Sequence, residues 1–267
     1  MFVTRLISGI VLVLGLIAVF VFGEPALTIV FGLLGLAAVY ELLRVFSQHD
    51  KPLGFLALAG TCIYYVLIYF DMQSWIMFLL TALLVIMLAF YVTSYPRIRI
   101  ETVAEVFLAA VYAGGLLSFV IFTRHLDHGE WLVWLIVIGS WGADTCAYCV
   151  GKVIGKHHFS ELSPKKTIEG CIGGVVGAGL IAFGYSFFVP EMDLFIFSPK
   201  IVFPLVAVVS AVVSIFGDLT ASAIKRNYDV KDYGRLIPGH GGVMDRFDSV
   251  IFVAPFVYYL IVLTSII

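Results

Sequence analysis

Residues 217–248 carry an unusual concentration of charge in an otherwise apolar chain. This stretch, GDLTASAIKRNYDVKDYGRLIPGHGGVMDRFD, holds five of the 16 basic and five of the 18 acidic residues of the 267-residue sequence. It begins inside one apolar run with Asp218 and ends at another with Asp245 and Asp248. Carboxylates bind Mg²⁺ together with phosphate oxygens and water, and the neighbouring cations can neutralise phosphate. The stretch therefore predicts a site for a metal ion and a phosphate.

Helical spacing would group several of these side chains. On a helix, Asp218, Ser222, Lys225 and Arg226 fall at positions i, i+4, i+7 and i+8, which share one stripe. A carboxylate one turn from a hydroxyl and two turns from a pair of cations suits a metal-bound phosphate. The plainer alternative is an Asp–Lys pair that only neutralises charge in the membrane.

The end of the stretch combines glycines with a second pair of carboxylates. Asp245 and Asp248 are three residues apart and share one helix face where the chain re-enters an apolar run. Gly241 and Gly242, which follow His240, can bring backbone N–H groups close to phosphate oxygens because glycine has no Cβ. A flexible turn with an idle histidine is the alternative.

A second basic segment, SPKKTIEG at 163–170, precedes a glycine-rich apolar run. Lys165, Lys166 and Thr167 follow a proline-fixed turn, and two ammonium groups beside hydroxyls suit a polyphosphate. The segment lacks the GxxxxGK[ST] spacing of a P-loop, and the sequence lacks the soluble sheet that such a loop requires. It therefore predicts phosphate binding of another kind.

Two further carboxylates lie within apolar runs, where charge is costly and commonly functional. Asp144, in SWGADTCAYCVGK, shares a helix face with Tyr148 and Gly151 and is a candidate metal ligand. A structural hydrogen bond to a neighbouring helix is the alternative for Asp144. Glu41 precedes Arg44 by three residues, so an interfacial ion pair between them is one interpretation and a functional carboxylate is the other.

The elements that must position these groups are membrane helices. The sequence is 61% hydrophobic and only 13% charged, and its mean hydropathy is +1.06, which excludes an ordinary soluble protein. A spanning helix needs about 20 mostly apolar residues. Suitable runs lie at 5–22, 26–46, 53–70, 75–93, 103–122, 131–151, 171–189, 201–224 and 247–266. We therefore predict an all-α, polytopic integral membrane protein with about nine transmembrane helices.

Basic residues set the predicted orientation. With a cytoplasmic N-terminus and an odd number of helices, 14 of the 16 basic residues lie inside and the C-terminus lies outside. The two richest loops, 152–170 and 225–246, then share the cytoplasmic face. In this topology, residues 1–100 form a helical scaffold, and residues 101–151 supply a candidate dimer interface and part of the site. Residues 152–267 form the catalytic region.

The charged stretch also carries a recognisable pattern. Residues 222–248, which read SAIKR, KDxG and IPxHGGVxDRFD in order, resemble the signature of the phosphatidate cytidylyltransferases, or CDP-diacylglycerol synthases. The segments SPKKTIEG and WGADTCAYCVGK are also similar to that family, so the resemblance covers residues 139–250. Ile168 is a departure, since relatives often carry an aromatic residue there. The first 100 residues match only as hydrophobic helices.

The resemblance implies the reaction CTP + phosphatidate → CDP-diacylglycerol + pyrophosphate, with Mg²⁺ and room for a second, monovalent cation. It also implies a homodimeric nucleotidyltransferase of phospholipid synthesis that works in the lipid bilayer, at its cytoplasmic face, without a nucleic acid partner. The short chain favours a bacterial inner membrane.

Within that reaction the candidate residues take three expected roles. The expected metal ligands are Asp218, Asp245 and Asp144. The expected catalytic residues, which neutralise phosphates or support the metal, are Lys225, Arg226, His240, Arg246 and Asp248. The expected substrate-binding residues are Ser222, Lys165, Lys166, Thr167, Gly241, Gly242 and Lys231.

Two other functions stay open. A CTP-dependent lipid-alcohol kinase would release CDP in place of pyrophosphate. An ion-coupled transporter would use membrane carboxylates and glycine-broken helices to carry an ion. The full signature favours the cytidylyltransferase over the kinase. Charges clustered at one predicted face, and a hydropathy pattern without a visible inverted repeat, argue against the transporter.

Overall fold

Most of the chain is α-helical in the computed structural model, which describes residues 2–160, 162–190, 192, 195, 197–237, 239 and 241–265. The helices and strands are, in chain order, α1 (Phe2–Phe22), α2 (Glu24–Val45), α3 (Pro52–Tyr69), α4 (Ile76–Thr93), α5 (Ile100–Ala109), α6 (Phe119–Arg124), α7 (Gly129–Val137), α8 (Ala143–Ile154), β1 (His158–Ser160), β2 (Ser163–Thr167), α9 (Ile168–Tyr185), α10 (Pro199–Asn227) and α11 (Met244–Thr264). Helices predominate because a segment in lipid must satisfy its own backbone N–H and C=O groups.

Eight helical segments of the described residues are long and apolar enough to span a membrane. They are Glu24–Val45, Pro52–Tyr69, Gln73–Thr93, Ile100–Arg124, Gly129–Ile154, Ile168–Tyr185, Pro199–Asn227 and Met244–Thr264. Helix α1 adds a shorter apolar stretch, Gly9–Phe22. Large apolar side chains such as Met77 and Phe78 are 73% and 66% exposed in the protein alone, which suits contact with lipid. The predicted all-α, polytopic membrane fold is confirmed, while its orientation in the membrane stays a prediction.

Two of these spans change helical pitch along their length. Residues Ala110–Gly115, after α5, and Ile138–Gly142, after α7, form π-helical turns. Such turns insert extra backbone into a helix and frequently occur at functional sites. The second turn leads directly into α8, whose second residue is Asp144.

Contacts divide the chain into two compact units. The first unit comprises Met1–Ser118 and Tyr228–Arg246, and the second comprises Phe119–Asn227 and Phe247–Ile267. The division therefore falls inside α11 and assigns Asp245 to the first unit.

The first unit has a core in which α2 packs closely on α3. A Cβ at Gly32 would lie 3.4 Å from the Tyr65 side chain, and one at Gly35 would overlap the Tyr65 hydroxyl. That buried hydroxyl donates a 2.8 Å hydrogen bond to the Gly114 carbonyl in the first π-helical turn. Glycine thus lets the two helices approach until the tyrosine reaches a third element.

The second unit is built around the glycine-rich helix α9, which packs against α8 and α10. A Cβ at Gly173 would lie 2.5 Å from Val150, and one at Gly174 would lie 2.8 Å from the Ala143 carbonyl oxygen. On the other side, a Cβ at Gly179 would lie 2.9 Å from Val208 of α10. These small residues allow α9 to hold α8 and α10 close together.

The two predicted loops are shorter and more ordered than the sequence indicated. Within 152–170, α8 continues to Ile154, and β1 pairs antiparallel with β2 in a small sheet. Within 225–246, α10 continues to Asn227 and α11 begins at Met244, so Asp245 lies on a helix. The short, polar hairpin has too few residues for an alternating pattern to predict it.

Close packing at Gly174 leads to a stability prediction. Gly174→Ala should lower the free energy of unfolding by about 1–3 kcal/mol, because the new methyl group would meet a backbone carbonyl that cannot move independently. Thermal unfolding of the purified protein in one detergent measures this change. Gly184→Ala is the matched control on the same helix, since a Cβ there has no heavy atom within 4 Å. Equal melting temperatures for the two variants would contradict the packing.

Candidate active site

A cavity of about 290 Å³ opens in the second unit between α8, β2, α9 and α10. Its polar lining comes from Asp144, Ser163, Lys165, Lys166, Thr167 and Asp218. Tyr148 and Gly151, which helical spacing places on the same face as Asp144, also line it. The lining residues therefore combine two carboxylates, two ammonium groups and three hydroxyls, on membrane-spanning helices and the hairpin beside them.

Asp144 is held by hydroxyl groups from two other helices. Ser214 of α10 contributes a contact of 3.5 Å to its Oδ1 atom, and Ser249 of α11 donates to its Oδ2 atom at 3.2 Å. Asp144 itself follows the second π-helical turn on α8. The predicted alternative of a hydrogen bond to neighbouring helices is thus present, and the same bonds fix where the carboxylate points.

Lys166 and Asp218 form an ion pair in this cavity. The Lys166 Nζ atom lies 2.7 Å from Asp218 Oδ2, and the two side chains are 23% and 28% exposed. The pair joins β2 to the middle of α10. The pair therefore fixes one ammonium group and one carboxylate of the cavity next to each other.

Asp248 brings a third carboxylate into electrostatic range. Its Oδ1 atom accepts a 2.8 Å hydrogen bond from the Ser249 backbone N–H. The charges of Asp218, Lys225 and Asp144 all act on it, the lysine opposing the two carboxylates. Four of the predicted site residues thus interact within one unit.

The hairpin that carries Lys165 and Lys166 is closed by Glu169. Its Oε2 atom accepts hydrogen bonds from the backbone N–H groups of Lys156, at 3.1 Å, and His157, at 3.3 Å. Its Oε1 atom also pairs with the His157 Nδ1 atom at 2.5 Å. The first turn of α9 therefore ties down the chain just before β1 and fixes the base of the hairpin.

Thr167 has a structural role that its predicted substrate role did not include. Its side-chain oxygen accepts a 3.1 Å hydrogen bond from the Gly170 N–H and caps the N-terminus of α9. Gly155 and Gly170 leave space around this hydroxyl, since a Cβ at either would lie within 3 Å of it. Thr167 thus ends the hairpin and starts the helix.

A second, more open cavity of about 630 Å³ lies in the first unit, along the segment between α10 and α11. Lys231, Asp232, Arg235 and Arg246 supply its charged lining. Gly239 and Gly241, with φ angles of +77° and +92°, supply turns that other residues adopt only with strain.

Asp245 lies in the first unit, and its carboxylate is committed to the backbone of that segment. Its Oδ2 atom accepts hydrogen bonds from the N–H groups of Tyr233, at 2.8 Å, and Gly242, at 3.0 Å. The Gly242 N–H thus contacts a carboxylate here, whereas the sequence predicts a phosphate. Sharing of one metal ion between Asp218 and Asp245 stays a prediction.

The ion pair suggested by the spacing of Glu41 and Arg44 takes another form in the structure. Glu41 accepts hydrogen bonds from the backbone N–H groups of Val243 and Met244, and Arg44 donates to the Tyr233 carbonyl. Both side chains therefore bind the segment before α11. Sequence spacing predicts contacts within a helix, but it does not identify backbone partners about 200 residues away.

Tyr228 fixes the start of the same segment. Its hydroxyl donates to Glu105 of α5 at 2.5 Å. Burial and this bond raise the pKa of the Tyr228 hydroxyl to about 12, so it stays protonated and remains a donor near neutral pH.

The remaining predicted residues differ in how exposed their side chains are. Ser222 and Lys225 are partly exposed on α10, while Arg226 near its end and Lys231 beyond it are exposed. His240 lies outside the described residues. Sequence reasoning missed Ser214 and Ser249, although Ser214 is one helical turn before Asp218 and Ser249 directly follows Asp248.

The donor set of the second unit fits Mg²⁺. Asp144, Asp218 and Asp248 offer the carboxylate oxygens that this ion prefers. Among the residues that the structure describes, no three His, Cys, Asp or Glu side chains form a ready-made cage. Mg²⁺ needs none, because one or two carboxylates suffice when phosphate oxygens and water complete its shell.

The fold and this site define a polytopic membrane enzyme with a charged cavity among its helices. Sequence comparison with known proteins identifies the family to which this enzyme belongs. The sequence model of the cytidylyltransferase family matches residues 3–264. The phosphatidate cytidylyltransferase of Bacillus subtilis (strain 168) is 34% identical over 274 residues, covering 98% of each chain. That of Staphylococcus haemolyticus (strain JCSC1435) is 32% identical over 268 residues, covering 97% of this chain and 98% of its own. The chain belongs to the cytidylyltransferase family.

A third relative shares a shorter region. The phosphatidate cytidylyltransferase of Thermotoga maritima (strain MSB8) is 37% identical over 165 residues, which cover 61% of this chain and 60% of its own. Matches over nearly the whole chain extend the similarity to the first 100 residues, where the sequence alone showed only hydrophobic helices.

Proposed function

We propose that this enzyme transfers CMP from CTP to phosphatidate, forming CDP-diacylglycerol and pyrophosphate. The observation that carries the proposal is the sequence identity of 34% and 32%, over nearly the full length, to two proteins named phosphatidate cytidylyltransferase. The cavity between α8, β2, α9 and α10 supports it, because it combines ammonium groups, which suit phosphates, with carboxylates, which suit a metal ion.

The chemistry is a direct displacement at phosphorus. An oxygen of the phosphatidate phosphate forms a bond to the α-phosphorus of CTP, and the bond from that phosphorus to the β-phosphate bridging oxygen breaks. The departing pyrophosphate takes the electron pair. The attacking oxygen is already anionic near neutral pH, so the reaction needs no covalent enzyme intermediate.

Bringing two polyanions together is the main obstacle, so positioning and charge neutralisation should dominate catalysis. Lys166 lies in the cavity with its ammonium group fixed by Asp218, and Lys165 lines the same space. We assign both lysines to the substrate phosphates. Lys225, which acts electrostatically on Asp248, supplies further positive charge along α10.

We assign the metal to Asp144 and Asp218, with Asp248 as a supporting carboxylate. Mg²⁺, when bound, supplies Lewis-acid neutralisation of the phosphate oxygens. Ser214 and Ser249 orient the Asp144 carboxylate for that role through their hydroxyl groups. Asp245 as a ligand, and a second, monovalent cation, remain part of the proposal.

The polar segment of the first unit supplies the other proposed substrate contacts. Lys231, Arg246 and Gly241 line its cavity, and Gly242 belongs to the same segment. Ser222 and Arg226 lie on α10, in the second unit. We propose that these groups and His240 act on the nucleotide or on the lipid phosphate. The enzyme would work as a homodimer at the cytoplasmic face of a bacterial inner membrane.

A product assay tests the function. Purified protein in lipid nanodiscs is incubated with phosphatidate and CTP labelled at its α-phosphate, with Mg²⁺ or with excess EDTA. The label should enter CDP-diacylglycerol with equimolar pyrophosphate, and EDTA should stop the reaction until Mg²⁺ is restored. Label recovered as CDP, or turnover that EDTA leaves unchanged, would contradict the proposal.

Asp218→Asn should reduce turnover by at least about 100-fold, because it removes a carboxylate from the proposed metal site and the ionic partner of Lys166. Initial rates of CDP-diacylglycerol formation measure the loss, after size-exclusion chromatography shows an intact protein. Asp127→Asn, at an exposed residue between α6 and α7, is the control and should retain full activity. Near-normal rates for Asp218→Asn would remove Asp218 from the mechanism.

A further inference from the structure

Glu41 is a buried carboxylate at membrane depth that the chemistry above does not use. It lies near the end of α2 and is only 5% exposed. Its Oε1 atom accepts from the Val243 N–H at 3.1 Å, and its Oε2 atom accepts from the Met244 N–H at 2.9 Å. These amides belong to the start of α11, where a helix leaves N–H groups without intrahelical partners. A carboxylate there satisfies them and suits the positive end of the helix dipole.

Two glycines leave room for this carboxylate because they lack a Cβ atom. A Cβ at Gly234 would overlap Glu41 Oε1, and a Cβ at Gly242 would overlap Glu41 Oε2. Both glycines have negative φ angles, so close approach is the reason for glycine at these two positions. The carboxylate thus contacts the segment before α11 at two places eight residues apart.

The next turn of α2 binds the same segment. The Arg44 guanidinium donates a 2.8 Å hydrogen bond to the Tyr233 carbonyl. The Tyr233 N–H in turn donates to Asp245 Oδ2 at 2.8 Å, and the Gly242 N–H donates to that oxygen at 3.0 Å. These two backbone donors to Asp245 Oδ2 are therefore themselves in contact with α2, Tyr233 with Arg44 and Gly242 with Glu41.

We propose that Glu41 is a positioning residue for the transfer reaction. In this role it acts without touching the substrate. It fixes the backbone at residues 233–234 and 242–244, and through that backbone the direction of the Asp245 carboxylate and of the cations around the first unit's cavity. The expected loss of kcat rests on the proposed function. The expected effect on the backbone does not depend on it.

The charge and both oxygens of Glu41 are required for this role. In Glu41→Gln one acceptor oxygen becomes an NH₂ group, which would face a backbone N–H donor, and the negative charge at the helix start is lost. The segment should then loosen while α2 and α3 stay packed through Tyr65. We expect kcat to fall by about 10- to 100-fold in the folded fraction, because small displacements of catalytic groups cost that much. The KM for CTP should change far less than kcat.

Hydrogen–deuterium exchange supplies a readout that does not depend on activity. In Glu41→Gln, the amides of peptides covering 241–247 should exchange faster than in the wild type, while those of α9 in the second unit stay unchanged. Gly234→Ala tests the same contact from the other side, because its methyl group displaces the carboxylate. It should reproduce the exchange change and the loss of kcat, and the double variant should show little further loss.

The matched control is Glu101→Gln, which removes an exposed carboxylate of the same unit that pairs with Arg99. It should leave both exchange and kcat at wild-type values. Unchanged exchange at 241–247 in Glu41→Gln, or wild-type kcat in that variant, would overturn the positioning role. A wild-type protein that makes no CDP-lipid would instead overturn the proposed function, and the exchange result would still test the contact.

Discussion

The ion pair between Lys166 and Asp218, 2.7 Å long, is the interaction on which the candidate site of the second unit depends. A carboxylate in the middle of a membrane helix costs roughly 2.5–3.5 kcal/mol when it has no partner. Lys166 offsets that cost, but only because the hairpin carries it to α10 and the glycines of α9 let α8 and α10 approach. Asp144 and Asp248 add further carboxylates around this pair, and Lys165 and Lys225 add further positive charge. Carboxylates and ammonium groups gathered in this way suit a divalent ion with a polyphosphate, although that role stays a prediction.

The first unit also contains a buried carboxylate, but backbone groups stabilise it there instead of a lysine. Glu41 is stabilised by backbone N–H groups at the start of α11, while Arg44 satisfies a carbonyl of the same segment. These bonds give an irregular, polar segment between two long helices a defined shape. The glycines beside Glu41 are therefore a packing requirement, whereas an approach of Gly242 to phosphate stays a prediction. Part of the Gly-rich signature thus serves the shape of its own backbone.

Hydropathy was enough to predict the helices, because lipid leaves few alternatives to a helix for an apolar run of this length. Charge at membrane depth singled out Asp144 and Asp218 for the same reason, although their metal role stays a prediction. The hairpin at 158–167 was missed because its strands are short and polar. Ser214 and Ser249 were missed because hydroxyls are common in helices. For Glu41, the only specific partner that the sequence offered was a neighbour on its own helix. Its true partners are backbone amides, which carry no residue-type signal.

Binding of Mn²⁺, which favours the same oxygen ligands as Mg²⁺, tests most directly whether the carboxylates around Lys166 form a cation site. The measurement is an electron paramagnetic resonance titration of the purified protein with a non-hydrolysable CTP analogue present. Asp144→Asn should weaken Mn²⁺ binding by about 10- to 100-fold relative to the wild type, and Asp127→Asn should leave it unchanged. An Asp144→Asn protein that is folded and binds Mn²⁺ as tightly as the wild type would contradict the account.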